Sequence, residues 1–116
     1  MHLALQEAWT AADHWRVGRY VVMPDHIHLF CAPTAKANTL ERWIAFWRST
    51  ATRLLGGGYG QLWQREYWDR QLRREESYAE KWSYVRNNPV RAGLVEKAED
   101  WPFQGEVSPL EWLGRR

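Results

Sequence analysis

Cysteine is almost absent. Cys31 is the only one in 116 residues, so no disulfide can close within the chain, and a reducing cytoplasmic setting is the default expectation. Its place in an apolar run makes it a small core residue rather than a redox group. The sequence also lacks any stretch near the roughly 18 consecutive apolar residues of a membrane span. Its amino terminus has no basic-then-apolar leader plan, so a soluble chain with no membrane partner is expected. Neither sign of charge dominates: the formal net charge is +2, too small to name a polyanionic partner by itself. There is no internal repeat, low-complexity run or compositional break, which makes residues 1–116 a single domain. Gly56, Gly57, Gly58 and Gly60 form a loop without the Gly-Lys-Ser/Thr that a nucleotide-phosphate loop requires, and it reads as a linker.

What the chain has in quantity is aromatic rings: nine tryptophans, five tyrosines and three phenylalanines. Part of this must be core, since aromatic side chains carry much of the burial energy of a small domain. From Leu62 to Arg74, however, rings alternate with arginines, as on a surface that stacks bases and pairs phosphates. Seven arginines lie between positions 42 and 74, so the middle of the chain is locally basic, which suits either a solvated charged face or a nucleic-acid surface.

Periodicity divides the chain into elements. Leu5, Ala8, Trp9 and Ala12 fall at helical spacing, predicting an amphipathic helix within residues 1 to 14. Trp15 to Met23 and His26 to about Ala32 read as two strands of a hairpin, with Pro24-Asp25 as the turn. Asn38 with Glu41 resembles a capping box. The helix behind it buries Leu40, Trp43, Ile44, Trp47, Ala51, Leu54 and Leu55, leaving Arg42, Arg48 and Arg53 off the stripe. Leu62 to Leu72 reads as a further strand. A last helix is expected from about Glu75 to Asn88, burying Tyr78, Trp82 and Val85, with Ser77, Lys81, Tyr84 and Asn88 on a neighbouring stripe. His2 and His14 read as surface residues, and residues 96 to 116 as an irregular tail across the sheet.

One step carries metal chemistry. Successive side chains of a strand point to opposite faces, so His26 and His28 share one face and Ile27 takes the other. Such a pair is either half a metal site or two hydrogen-bonding side chains at a strand end. If the last helix packs beside the hairpin, Asn88 can complete the site while Tyr84 points at whatever the metal holds. Two imidazoles and an amide leave the cation's charge uncompensated, which suits an anionic ligand such as phosphate. Mixed nitrogen and oxygen donors suit Mn²⁺ or Mg²⁺. A structural Zn²⁺ site would want a third strong ligand, which the sequence does not offer. A tyrosine is only about one part in a thousand ionised at pH 7. Tyr84 is therefore either a packing residue or a nucleophile aided by a metal-polarised phosphate, a base or a nearby positive charge. Lys81, one turn earlier, either supplies that charge or contacts DNA.

The motifs MPDHIHL (23–29), LWQREYWDRQLR (62–73), YVRNNPVRAGLV (84–95) and DWPF (100–103), in this order around a tryptophan-rich basic helix, resemble those of the REP-associated tyrosine transposases, single-tyrosine members of the HUH endonuclease superfamily. The resemblance spans residues 15 to 103. It implies an α+β domain: a ferredoxin-like antiparallel sheet with helices on one face. The family begins with a strand ahead of the first helix, and this sequence starts at the helix, so the expected sheet lacks its first strand. An unpaired edge there would favour a homodimer. The resemblance further implies a divalent metal held by His26 and His28 with Asn88 as third contact. Tyr84 would attack the scissile phosphate of single-stranded DNA beside a hairpin, giving a 5′-phosphotyrosine. Trp63, Arg65, Trp68, Arg70, Arg73 and Lys81 are the expected DNA contacts, with Arg42, Arg48 and Arg53 as weaker ones. The alternative function is a shortened, catalytically inactive relic that still binds hairpin or single-stranded DNA.

Overall fold

A computed structural model of the chain describes residues 2–24, 26–56 and 75–110. The expected strand at 62–72, and with it Trp63, Arg65, Trp68, Arg70 and Arg73, lies outside the described residues. The first helix, α1 (His2–Ala11), buries Ala4, Leu5, Ala8 and Trp9, the i, i+3, i+4 stripe read from the sequence. A hairpin follows: β1 (Trp15–Val22) pairs antiparallel with β2 (Ile27–Pro33). Its turn is closed by the Met23 N–H donating to the His26 carbonyl at 2.8 Å. Between the Val17–Cys31 and Tyr20–Leu29 pairs the register shifts, so Gly18 and Arg19 together stand opposite Phe30. This β-bulge re-aims Arg19 while keeping Val17 and Tyr20 on the core side.

The second helix, α2 (Leu40–Leu54), starts one residue later than Asn38 suggested. Thr39 is the cap, its side chain accepting from the Arg42 N–H at 3.2 Å. Both residue types suit that role, and the extended backbone of Thr39 decides between them. Trp43, Trp47 and Ala51 are buried as expected, whereas Leu54 at the last turn is exposed and Arg48 is half-buried rather than fully solvated. Gly56, at φ +91°, ends the helix, a left-handed position where a side chain would be strained.

The core lies between α1, α2 and one sheet face. Leu5, Ala8, Trp9, Ala12, Val17, Tyr20, Trp43, Trp47 and Ala51 are its buried members, with Val22, Ile27, Leu29 and Cys31 packed against them. Trp43 fixes the two helices to each other by donating its indole N–H to the Ala12 carbonyl at 2.8 Å. Tyr20 is fully buried, and its hydroxyl meets His2 Nε2 at 2.6 Å and accepts from Gln6 at 2.9 Å. His2 is therefore half-buried in a polar contact of the core margin, not a surface residue; His14 is exposed.

The last helical segment is split. α3 (Glu75–Arg86) ends two residues before Asn88, and α4 (Asn88–Arg91) begins there. Pro89 offers no N–H and restricts Asn88, so the helix breaks and restarts. Gly93, at φ +76°, closes α4. The tail is not irregular throughout. After a 3₁₀ turn at Ala98–Asp100, β3 (Gln104–Glu106) pairs antiparallel with β1, making a sheet of order β2-β1-β3. Nothing in Gln-Gly-Glu looks like a strand; the backbone edge of β1 recruits it. The result is the expected α+β architecture with an antiparallel sheet, but the helices are not confined to one face as expected: the α1–α2 layer covers one face. On the opposite face α3 lays Tyr78 and Trp82 against Phe30, at ring separations of 4.8 and 6.3 Å. Among the described residues no helix is long and apolar enough to cross a membrane.

Candidate active site

The face that α3 crosses is the one carrying the histidines. His28 stands opposite Val21 in the hairpin register, while Ile27 pairs with Val22 on the core side. Strand alternation thus delivers both imidazoles to the same side, their rings edge-on at 83° and their Nε2 atoms sharing a hydrogen bond at 3.1 Å. Burial, then the neighbouring His26 and the charge of Arg91, push the His28 imidazole below its ordinary pKa, so it is neutral at pH 7. A neutral ring keeps a lone pair for a ligand.

These atoms suit one cation. Two nitrogens cis on an octahedral ion with bonds of about 2.1 Å lie roughly 3 Å apart, and on a tetrahedral ion slightly farther. No third His, Cys, Asp or Glu joins the pair among the described residues.

The same face receives the end of α3. Arg19, re-aimed by the bulge, places its guanidinium carbon 5.8 Å from the Tyr78 ring and 5.6 Å from the Trp82 ring, with Glu106 Oε2 3.7 Å from its Nε. The Arg19 N–H donates to the Tyr78 hydroxyl at 3.3 Å. These contacts fix α3 on the sheet, and Tyr78 is a docking residue, in keeping with its place on the stripe expected to be buried. Burial raises the Tyr78 phenol above its ordinary pKa, which keeps it protonated.

Beyond that anchor Tyr84 is exposed, at 64%, and Lys81, one turn earlier, is exposed too. Asn88 does not share a helix stripe with Tyr84, as the periodicity implied, because the chain turns at Asn87. The two are joined instead by Arg91. Its guanidinium lies 3.9 Å from the Tyr84 ring centre, donates to the Tyr84 carbonyl at 2.6 Å and also donates to Asn88 Oδ1. Its charge is felt at His28. Arg91 thus links Tyr84 to Asn88, and of the three its charge alone is seen to reach His28. Arg91 was missed at the sequence level. Its only signal was a cation three residues after Asn88, on the same side of a short helix.

No family model matches the chain. A Haemophilus influenzae protein named as a REP-associated tyrosine transposase is 29% identical, over 80% of this chain and 64% of its own length. An Escherichia coli REP-associated tyrosine transposase is 25% identical, over 86% of this chain and 64% of its own. The chain thus spans just under two thirds of the length of these relatives. A solved structure of a REP-associated tyrosine transposase bound to a REP hairpin superposes with a TM-score of 0.74 at 23% identity, covering 87% of this chain and 62% of that one. In sequence and in fold, the chain is similar to the REP-associated tyrosine transposases.

Proposed function

We propose that the chain is a metal-dependent single-stranded DNA endonuclease and strand transferase that cuts beside a hairpin through Tyr84. The observation that supports this reading is the pairing of His26 and His28, with Nε2 atoms 3.1 Å apart, together with Arg91, which contacts both Tyr84 and Asn88 and whose charge reaches His28. His26, His28 and Asn88 would hold Mn²⁺ or Mg²⁺, which when bound would polarise the phosphate. The exposed Tyr84 hydroxyl attacks phosphorus, and the bond to the 3′ oxygen breaks. The phenol proton ends on the released 3′-hydroxyl, and a 5′-phosphotyrosine keeps the bond energy for rejoining. Lys81, on the exposed side of α3, contacts the DNA backbone, and Trp63, Arg65, Trp68, Arg70 and Arg73 supply base stacking and phosphate contacts from the basic aromatic segment. The named relatives and the hairpin-bound structural neighbour support hairpin DNA as the substrate class.

The test is a covalent one. Labelled hairpin oligonucleotides with single-stranded flanks are incubated with the protein and Mn²⁺, and denaturing gels are read for an adduct. An adduct that disappears in Tyr84→Phe is the expected result. An adduct that persists in that variant removes Tyr84 as nucleophile. Hairpin binding without any adduct would leave a non-catalytic DNA-binding domain.

A further inference from the structure

Arg91 has no part in the roles assigned so far, yet the site's parts touch through it. It is exposed, it sits face-on over the Tyr84 ring at 3.9 Å, and it holds the Tyr84 carbonyl and Asn88 Oδ1 through the same terminal nitrogen, Nη2. The Nη1 and Nε donors of its fork are not used in these bonds. A guanidinium offers five N–H groups in a plane that matches the oxygens of a phosphate. With the cation over the ring centre, the hydroxyl of that ring is roughly 5 Å from the guanidinium carbon. A phosphate hydrogen-bonded to the fork would thus lie within attacking reach of the Tyr84 oxygen. From this geometry we infer that Arg91 binds the scissile phosphate, its Nη1 and Nε donors taking a non-bridging oxygen of the phosphodiester that Tyr84 attacks.

The inference rests on the reading of the site as a tyrosine-nucleophile cleaving centre and adds a residue to it. As the oxygen–phosphorus bond to Tyr84 forms and the bond to the 3′ oxygen breaks, charge accumulates on the non-bridging oxygens, and a fixed cation facing them lowers the barrier. A purely structural Arg91 would hold α4 against α3 and would be indifferent to the charge of the DNA.

The two roles separate when that charge is removed from the substrate. Wild-type protein with a hairpin oligonucleotide and Mn²⁺ first maps the cut linkage, and a second oligonucleotide then carries a neutral methylphosphonate at that linkage. Arg91→Ala should slow adduct formation on the ordinary substrate by roughly 10²-fold. On one of the two methylphosphonate diastereomers, where the oxygen it serves is gone, the same variant should lose almost nothing further. Arg91→Lys keeps the charge without the fork and should fall between; it replaces the alanine variant if circular dichroism shows that variant unfolded. Equal losses on all substrates overturn the inference while leaving Tyr84 as nucleophile. A wild-type chain that forms no adduct on any hairpin overturns the cleaving-centre reading, and the Arg91 assignment falls with it.

Discussion

Replacing Gly18 by alanine tests whether the histidine-bearing face of the sheet is shaped to receive α3. Gly18 lies in the β1 bulge. A Cβ there would stand 2.6 Å from both Cγ and Cδ1 of Leu110 and 2.8 Å from the Tyr78 hydroxyl oxygen. Leu110 can swing its branched end away. Tyr78 has less freedom, because its hydroxyl is held by the Arg19 N–H and its ring packs on Phe30. Relief requires Tyr78, and α3 with it, to retreat by roughly half an ångström, enough to weaken the dispersion contacts it makes. Overpacking of this kind costs about 1–3 kcal/mol; with Leu110 yielding, about 1–2 kcal/mol is expected. Tyr78→Phe loses a hydrogen bond worth about 1 kcal/mol but vacates the contested space. In that background Gly18→Ala should be milder, by about 1 kcal/mol. Urea unfolding of the four proteins, followed by tryptophan fluorescence, measures the coupling. Strict additivity, with an interaction below about 0.3 kcal/mol, would refute the argument that Gly18 is small for the sake of α3.

Three further outcomes are expected. Trp43→Phe removes half a fully buried indole and its bond to the Ala12 carbonyl, and should lower stability by about 2–3 kcal/mol in a denaturant titration; a loss under 1 kcal/mol, the scale of a surface change, would show that the α1–α2 contact is not where the core is sealed. His28 and His2 are both held below the ordinary imidazole value of 6.5, chiefly by burial. The unfolded chain therefore binds protons more readily, so stability present above pH 6.5 is lost as pH falls through the lower folded values. A melting temperature no lower at pH 5 than at pH 7.5 would contradict this. Asn88→Ala should weaken Mn²⁺ binding by at least the roughly 10-fold that loss of even an outer-sphere partner brings, read by calorimetric titration without DNA; unchanged affinity would leave the histidines without Asn88 as a ligand.

Much of the frame was legible in the residues. The stripes of α1 and α2, the hairpin around Pro24, the stop at Gly56 and a helix beginning at Glu75 all follow from local sterics and short-range periodicity. What was misjudged turns on competition or on distance. Thr39 and Asn38 are both good caps, and only the backbone path decides between them. Leu54 fits the apolar spacing of α2 and is nonetheless exposed. The Gln104–Glu106 strand has no pattern of its own, because its hydrogen-bond partners belong to β1, more than eighty residues earlier. His2 gains its role from Tyr20, which local patterning does not reveal.

By itself the sequence determined that His26 and His28 share a face, because alternation along a strand is fixed by backbone geometry. It equally determined that Tyr84 and Asn88 sit close in the chain near a helix end, but not the break at Asn87 that takes them off a common stripe. It did not determine which sheet face α3 would cover, nor that Arg91 would join Tyr84 to Asn88 beside His28. Those depend on the β1 bulge that turns Arg19 toward Tyr78, a contact spanning 59 residues, and on the turn at Asn87 that folds Arg91 back over Tyr84. Pairings at such separations are set by how whole elements pack, and no window of neighbouring residues contains them.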